Sequence, residues 1–264
     1  MVKLKDLSTG VVWPDLHAPR HHIPSVNACL DYLRFLRKRN KPDFFVSLGD
    51  WCDFDSLSRF QVINSKDIIS LHEEIASANQ VLDQLDGILP KHCVKIMTMG
   101  NHDKRPELYR LNNWDAKDTK TLGKIMGFER IPNAEALYKL KERGWDWVDH
   151  GELIKIGKCL FTHGYFTNKW HTEKTLMKFF KSIVYGHCHN FQVANVNGMD
   201  GLPVAAMCIG TLSRFDLSYM RGVPPGWVNM FMTMDFFKDG TFTPHPIPII
   251  NGRFIKDGRI FGKK

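Results

Sequence analysis

Five short polar motifs follow one another along this chain of 264 residues, and each carries side chains that hold metal ions in proteins. They are, in chain order, Asp15-Leu16-His17, Gly49-Asp50-Trp51-Cys52-Asp53, Gly100-Asn101-His102-Asp103, His163-Gly164 and Gly186-His187-Cys188-His189. Carboxylate, imidazole and amide oxygen suit Mn, Fe or Zn, and no thiolate ligand is needed. One such motif arises easily by chance, whereas five in one chain indicate a metal site.

Each motif alone has a simpler interpretation. Asp15-Leu16-His17 is a common tripeptide, and Gly100-Asn101-His102-Asp103 suits an ordinary turn after a strand. The last motif also suits half of a zinc site with Cys188 as a ligand. Against that interpretation, no matching cysteine pair occurs in the chain, and the side chain of Cys188 should point away from the two flanking histidines.

Apolar runs that predict strands precede the motifs. These runs are Val11-Val12-Trp13, Phe44–Leu48, Val94–Met99, Leu153–Phe161 and Ile183-Val184-Tyr185. Polar groups at the carboxyl ends of strands are where α/β sheets place their sites. In an extended segment Asp15 and His17 would project the same way, as would His187 and His189, although the loop could turn the latter pair toward different ions.

The order of elements predicts an α/β fold. Helical spacing of apolar residues predicts a helix over 25–37, with Ser25 as its N-cap, and another from Ser65 to Leu85. After the last motif the chain is strand-rich from Gln192 to Phe261. We therefore expect two packed mixed β-sheets flanked by helices in a single domain over residues 1–264. The charged segment 104–150 is expected to be a helical insertion over the site.

The motifs resemble those of the calcineurin-like metallophosphoesterase superfamily, whose pattern is D-x-H, GD-x-x-D, GNH-D/E, an H, and GH-x-H. The match spans residues 15 to 189, and the surroundings of Asp15 are similar to small members from phage and bacteria. The resemblance implies a four-layer αββα sandwich. It also implies one metal ion held by Asp15, His17, Asp50 and His189, and a second held by Asp50, Asn101, His163 and His187.

The same resemblance implies that His102 is the catalytic imidazole, oriented by Asp53. Arg105 occupies a position where some protein-phosphatase relatives place a phosphate-contacting arginine. Those phosphatases also carry Arg-Gly after the second motif, where this chain has Phe54. This departure argues against a dedicated phosphoprotein phosphatase.

Two cations about 3.5–4 Å apart polarise a phosphoryl oxygen and lower the pKa of a bridging water, which makes hydroxide available for in-line attack. A histidine is the usual proton donor to the departing oxygen. The sequence therefore predicts a dimetal-dependent phosphoesterase, an enzyme with two divalent metal ions. Manganese is the expected metal, and Fe, Zn, Ni and Co are alternatives.

The net charge of +8 and the isoelectric point near 9.1 favour polyanionic partners. The basic residues expected near the site or in the tail are Lys104, Arg105, Arg110, Lys117, Lys120, Lys124, Arg130, Arg253, Lys256, Arg259, Lys263 and Lys264. We expect a phosphodiesterase or nuclease acting on DNA or RNA. The alternatives are a phosphomonoesterase acting on nucleotides or phosphoproteins and, third, an inactive scaffold of the same fold.

The six cysteines are scattered without a C-x-x-C pair, so disulfides are not expected. No apolar run approaches the roughly 18 residues of a membrane span, and the N-terminus does not resemble a signal peptide. These features predict a cytoplasmic protein with no membrane partner. They carry no information on oligomeric state.

Overall fold

A computed structural model describes residues 2–58, 69–112, 120–121, 123–124, 131–198, 201–216 and 226–262. Its strands are β1 (Ser8–Trp13), β2 (Phe44–Ser47), β3 (Val94–Thr98), β4 (Asp146–Val148), β5 (Ile154–Ile156), β6 (Cys159–Thr162), β7 (Ser182–Tyr185), β8 (Phe191–Asn197), β9 (Pro203–Ile209), β10 (Met230–Phe236), β11 (Phe242–Pro248), β12 (Phe254–Lys256) and β13 (Arg259–Phe261). The helices are α1 (Ile23–Arg37), α2 (Leu71–Ile88), α3 (Arg105–Asn112), α4 (Ala134–Leu137), α5 (Leu140–Arg143) and α6 (His171–Phe179).

Two mixed sheets form the centre of the fold. The six-stranded sheet has the order β11-β10-β1-β2-β3-β4, in which β1 to β4 run parallel and β10 pairs antiparallel with both of its neighbours, β1 and β11. The five-stranded sheet has the order β5-β6-β7-β9-β8, with β6, β7 and β9 parallel. The strand that precedes each of the first three motifs therefore lies next to the others, with its carboxyl end at one edge.

Alternating side chains of β1 explain the layers. Val12 packs between the sheets, in a cluster that includes Phe161 and Val184 of the second sheet. Val11 and Trp13 point to the other face and pack against α1 and α2. On the far side of the second sheet, α6 covers a smaller apolar cluster. The predicted fold class is confirmed, because the chain forms two packed mixed sheets with helices on both outer faces.

Both predicted helix starts are wrong. Helix α1 begins at Ile23, not after Ser25, because Pro24 lacks an N–H and suits the first turn; Ser25 is buried inside the helix. Helix α2 begins at Leu71, where Ser70 and Glu73 form a capping box, and it runs to Ile88, beyond the predicted end. Residues 65–68 of the predicted helix lie outside the described residues.

The segment 104–150 carries both helices and a strand. Helix α3 follows the third motif, α4 and α5 come later, and β4 then pairs with β3 in the six-stranded sheet. Lys117 and Arg130 lie outside the described residues, as do Lys263 and Lys264 at the end of the chain. Across the part of the chain that the structure describes, no helix is long and apolar enough to cross a membrane.

Candidate metal centre

The loops after five parallel strands meet at one place between the two sheets. Asp15 and His17 follow β1, Asp50 follows β2, and Asn101 follows β3. On the second sheet, His163 follows β6, and His187 and His189 follow β7. The site thus lies at the carboxyl ends of strands, as the sequence predicts.

Several of these loops are locally strained. His17, Asp50, His187 and His189 have φ values of 55°, 47°, 68° and 60°, in the left-handed region that residues with a Cβ rarely adopt. Such conformations cost roughly 1–3 kcal/mol each and persist only where the surroundings enforce them. The segment from Asp15 to His17 is therefore not extended, and its two side chains converge through this turn instead.

We call the first group of ligands the closed half: Asp15, His17 and His189, all of them buried. Nε2 of His189 lies 3.0 Å from Oδ2 of Asp15 and 3.0 Å from Nε2 of His17. The other carboxylate oxygen of Asp15, Oδ1, is buried and has no hydrogen-bond partner among the residues that the structure describes. Buried polar atoms in proteins almost always have a partner, so this oxygen is suited to a cation.

The second group, the open half, consists of Asn101, His163 and His187. Nε2 of His163 lies 2.9 Å from Oδ1 of Asn101 and 3.1 Å from Nδ1 of His187. His163 is buried, whereas Asn101 and His187 are half-buried and reach solvent. The two histidines of the last motif therefore turn to different groups, which is the alternative that the sequence left open for this loop.

Asp50 stands between the two halves. Its Oδ2 lies 3.3 Å from Nε2 of His163 in the open half and 3.8 Å from Nε2 of His17 in the closed half. Its Oδ1 accepts a hydrogen bond of 2.8 Å from the backbone N–H of His102. A single carboxylate thus faces both groups, as a bridging ligand must.

Two glycines of the motifs make room for these carboxylates. A side chain at Gly100 would overlap the carboxylate of Asp50, and one at Gly186 would overlap that of Asp15. The backbone of the same loops also holds the carboxylates, because the N–H of His187 donates to Oδ2 of Asp15 over 2.7 Å. The glycines that precede Asn101 and His187 therefore have a steric role in the site.

Contacts behind the ligands orient the imidazoles. Nδ1 of His17 lies 2.9 Å from Oδ1 of Asp53, and Nδ1 of His163 lies 2.8 Å from the carbonyl oxygen of Leu48. Each acceptor receives a hydrogen bond from the ring N–H at Nδ1. The lone pair of each ring is then on Nε2, which faces the centre. This arrangement is the usual support for a metal-ligating histidine.

The charges of the centre depend on one another. Burial disfavours ionisation of Asp50, but the neighbouring His163 and His102 outweigh burial and hold the pKa of that carboxyl well below its usual value. Burial likewise opposes protonation of His17, yet the hydrogen bond to Asp53 raises the pKa of His17 to about 9. For His187, burial and the nearby His163 lower the pKa to about 4. The anionic carboxylates thus favour positive charge in this pocket.

The donor set fits divalent cations. Three overlapping sets of side chains each bring three possible ligand atoms within 4.8 Å of one another. They are Asp15, His17 and His189; His17, Asp50 and His102; and Asp50, His163 and His187. All the donors are oxygen or imidazole nitrogen, which suits Mn, Fe or Zn. Cys188 belongs to none of the three, and its Sγ donates to the carbonyl oxygen of Phe166, away from the flanking histidines.

His102 lies beside Asp50 and is tied to the second motif. Its Nδ1 lies 3.0 Å from Oδ1 and 3.0 Å from the backbone oxygen of Asp53. Its Nε2 faces the centre, 4.0 Å from Oδ2 of Asp50, and is 3.3 Å from a guanidinium nitrogen of Arg105. Because a guanidinium can only donate, Nε2 accepts in this contact, and the ring proton lies on Nδ1.

Three supporting residues escaped the sequence analysis. Arg20 is buried and forms ion pairs of 3.1 Å with Asp53 and 2.9 Å with Asp55. Tyr138 donates over 2.6 Å to Asp103, whose carboxylate also accepts from the N–H of Gly100. Glu74 accepts hydrogen bonds from the turn that follows Asp53. No local motif marks these residues, because each is distant in sequence from the groups it contacts.

A family model for calcineurin-like phosphoesterases matches residues 11–210 of this chain. The chain belongs to the calcineurin-like phosphoesterase family. The match covers all five motifs, so the resemblance seen in the sequence is confirmed.

Among curated proteins, the Gene 54 protein of Mycobacterium phage L5 is 24% identical over 269 residues, covering 95% of this chain and 97% of that protein. Among solved structures, Pseudomonas putida nuclease MPE is 13% identical with a TM-score of 0.38, over 89% of this chain and 87% of that one. Haemophilus influenzae NAD nucleotidase is 13% identical with a TM-score of 0.42, over 98% of this chain and 54% of that one. At such low scores, no feature of the site is transferred from either structure.

Proposed function

We propose that this family member hydrolyses phosphoesters with two divalent cations, and that its substrates are phosphodiesters of nucleic acid. The observation that carries the proposal is the position of Asp50 between two groups of ligands, with His102 beside it. One cation would be held by Asp15, His17, Asp50 and His189, and the other by Asp50, Asn101, His163 and His187. Manganese is the metal with which we would test this first.

The bound cations would polarise the phosphoryl oxygens and lower the pKa of a coordinated water, which is the chemistry that two-metal sites supply. The protein's own part is to hold them and to handle the proton of the leaving group. In hydrolysis, oxygen from water bonds to phosphorus, the ester P–O bond breaks, and the departing oxygen takes up a proton. We propose that Nε2 of His102 delivers that proton.

To donate this proton, Nε2 of His102 must lose its present hydrogen bond from Arg105. In the structure its Nε2 accepts from Arg105, which is also held over 2.8 Å by the backbone oxygen of Asp53 and over 3.0 Å by Asp55. When Arg105 turns to a substrate phosphate, Nε2 is free to carry a proton. Asp53 then stabilises the charged imidazole through Nδ1, since a carboxylate favours the protonated ring. The same movement of Arg105 would thus bring it into contact with substrate and free Nε2 of His102 to act as the acid.

The preference for diesters of nucleic acid is supported by the basic residues near the open half. Lys104 follows the third motif directly, and Arg110 lies on α3. The tail contributes less near the site, because Arg259 lies over the ring of Phe35, close to the end of α1 that is remote from the centre. Trp145 is buried and its Nε1 donates a hydrogen bond to Asp86. It therefore packs inside the protein and is not available to stack on nucleic-acid bases.

The test is a comparison of substrates with metal-free and manganese-loaded protein. Bis-p-nitrophenyl phosphate, p-nitrophenyl phosphate, single-stranded DNA and duplex DNA are supplied side by side. The proposal expects metal-dependent cleavage of the diester and of DNA, with binding of DNA to His102→Ala weakening steeply as salt rises. Faster hydrolysis of the monoester than of any polynucleotide would support the phosphomonoesterase alternative instead. No hydrolysis of any ester would refute the enzyme proposal altogether.

A further inference from the structure

A cavity of about 550 Å³ lies next to the open half of the centre, one strand further along the same sheet edge. Met99, directly after β3, lines it on one side, and Asp149 and His150, directly after β4, line it on another. The remaining wall comes from α3 and the residue before it, and from the segment that leads into α4. Met99 is two residues before Asn101, so the cavity borders the loop that carries this proposed metal ligand.

Hydrogen bonds tie the cavity wall to the ligand loops. Nδ1 of His150 lies 3.3 Å from the carbonyl oxygen of Met99. The hydroxyl of Tyr165, two residues after His163, donates over 2.7 Å to the carbonyl oxygen of Gly151. The turn that carries Asp149 and His150 is therefore hydrogen-bonded to two of the three loops of the open half, those of Asn101 and His163. A group seated in this cavity would lie beside a phosphate held at the centre.

The polar side chains that line the cavity include both basic and acidic residues. Lys104 and Arg110 are basic, Glu107 and Asp149 are acidic, and Glu107 and Arg110 stand three apart on α3 and so share a face. Among the described residues, these four side chains form no ion pair with one another. Nε of Arg110 is buried and has no hydrogen-bond partner within the described part of the chain. Such a buried donor normally has an acceptor, which a ligand would provide.

This lining distinguishes between classes of ligand. A bare phosphate or a polyphosphate would be repelled by Glu107 and Asp149, and a hydrocarbon group would leave the buried Nε of Arg110 without an acceptor. A flat group that carries both hydrogen-bond donors and acceptors suits the mixture, and the apolar surface of Met99 and Pro132 suits its ring faces. Nucleobases have this combination of edge and face.

We infer that this cavity binds the base of a nucleoside esterified to the phosphate at the metal centre. Arg110 donates to a base acceptor, and Glu107 accepts from a base amino or imino group. The inference rests on the proposed phosphoesterase function and deepens it, since it names nucleotide esters as the substrate class. The basic residues alone would favour any polyanion, whereas this cavity selects for the nucleoside portion.

The experiment compares two chromogenic diesters that release the same p-nitrophenolate: the p-nitrophenyl ester of thymidine 5′-monophosphate, which carries a base, and bis-p-nitrophenyl phosphate, which does not. The measured quantity is the ratio of kcat/KM for the two esters with manganese-loaded protein. We expect the intact protein to favour the nucleotide ester. Arg110→Ala should lower the ratio about 10-fold or more, as loss of a charged hydrogen bond does. Glu107→Gln should lower it less.

Arg34→Ala is the matched control, an exposed arginine on α1 whose loss should leave the ratio unchanged. Metal content and thermal stability show whether each variant is folded, and Glu107→Gln, which keeps its shape, carries the test if Arg110→Ala is unstable. Equal efficiency on both esters in the intact protein, or an equal fall on both esters in Arg110→Ala, would overturn the base site while leaving the phosphoesterase intact. No hydrolysis of either ester would remove the proposed function, and with it the site.

Discussion

The two halves of the candidate metal centre carry similar side chains in different surroundings. In the closed half Asp15, His17 and His189 are all buried, and the carboxylate of Asp53 supports His17 from behind. In the open half Asn101 and His187 are half-buried. The charged cavity is lined by Met99, two residues before Asn101. From this comparison we propose a division of tasks, in which the closed half would hold a cation firmly and the open half would admit substrate and exchange its cation with solvent.

The largest loss of metal binding and activity should follow substitution of Asp50, the residue that both halves share. Asp50→Asn removes the negative charge between them and should empty both halves of manganese. Activity on bis-p-nitrophenyl phosphate should fall by more than the roughly 10–100-fold that follows loss of a supporting contact behind a ligand. Metal analysis of the purified variant measures the first effect and steady-state kinetics the second. A variant that keeps two ions and most of its turnover would show that Asp50 does not bridge the halves.

His102 should affect turnover without emptying either half. His102→Ala should lower turnover on esters with a poor leaving group by about 10²–10⁴-fold, the usual contribution of a positioned proton donor. The loss should shrink for p-nitrophenolate, which leaves without protonation. Asp53→Asn should show a milder version of the same pattern. Loss of a metal ion from His102→Ala would instead make His102 a ligand, since it lies in one of the three candidate sets with His17 and Asp50.

Much of this arrangement could be predicted from the sequence, because the positions of the motifs after apolar runs identify strand ends, and strand ends of parallel sheets meet. The convergence of Asp15 with Asp50, on neighbouring strands of one sheet, follows from that rule. The convergence of Asp15 with His189 joins the two sheets and was predicted from the resemblance to the family. The left-handed backbone at His17 and Asp50 could not be predicted, since it is imposed by contacts from other strands. For the same reason, the buried ion pair of Arg20 with Asp53 carries no signal in the local sequence.

The smallest expected effect is a change in the free energy of unfolding with pH, caused by a glutamate that contacts the turn after Asp53. Glu74, from α2, accepts a hydrogen bond of 2.6 Å from the backbone N–H of Asp55, in the turn that follows Asp53, and also contacts Ser56. Burial raises the pKa of Glu74 from 4.5 to about 7. Between these pH values Glu74 therefore holds its proton in the folded protein and loses it in the unfolded chain. The free energy of unfolding contributed by Glu74 should fall with rising pH, by at most about 1.4 kcal/mol per unit.

Urea denaturation of the metal-free protein at pH 5, 6, 7 and 8 measures this contribution. The stability of the intact protein minus that of Glu74→Gln should be largest at pH 5, fall as pH rises toward 7, and level off above it. Glu142→Gln on α5 is a control at a solvent-exposed glutamate, for which the difference should stay constant. A difference for Glu74→Gln that rises with pH would mean that the carboxyl is stabilised as the anion, and that α2 holds the closed half by charge.

The most direct test of the two-half centre is a calorimetric titration of Mn²⁺ into the metal-free protein, with the stoichiometry checked by elemental analysis. We predict two ions per chain with two distinguishable affinities. His187→Ala should abolish only the weaker event, while His189→Ala should weaken the tighter one. Binding of a single ion per chain, or two events that both survive the loss of His187, would contradict a dinuclear centre with one closed and one open half.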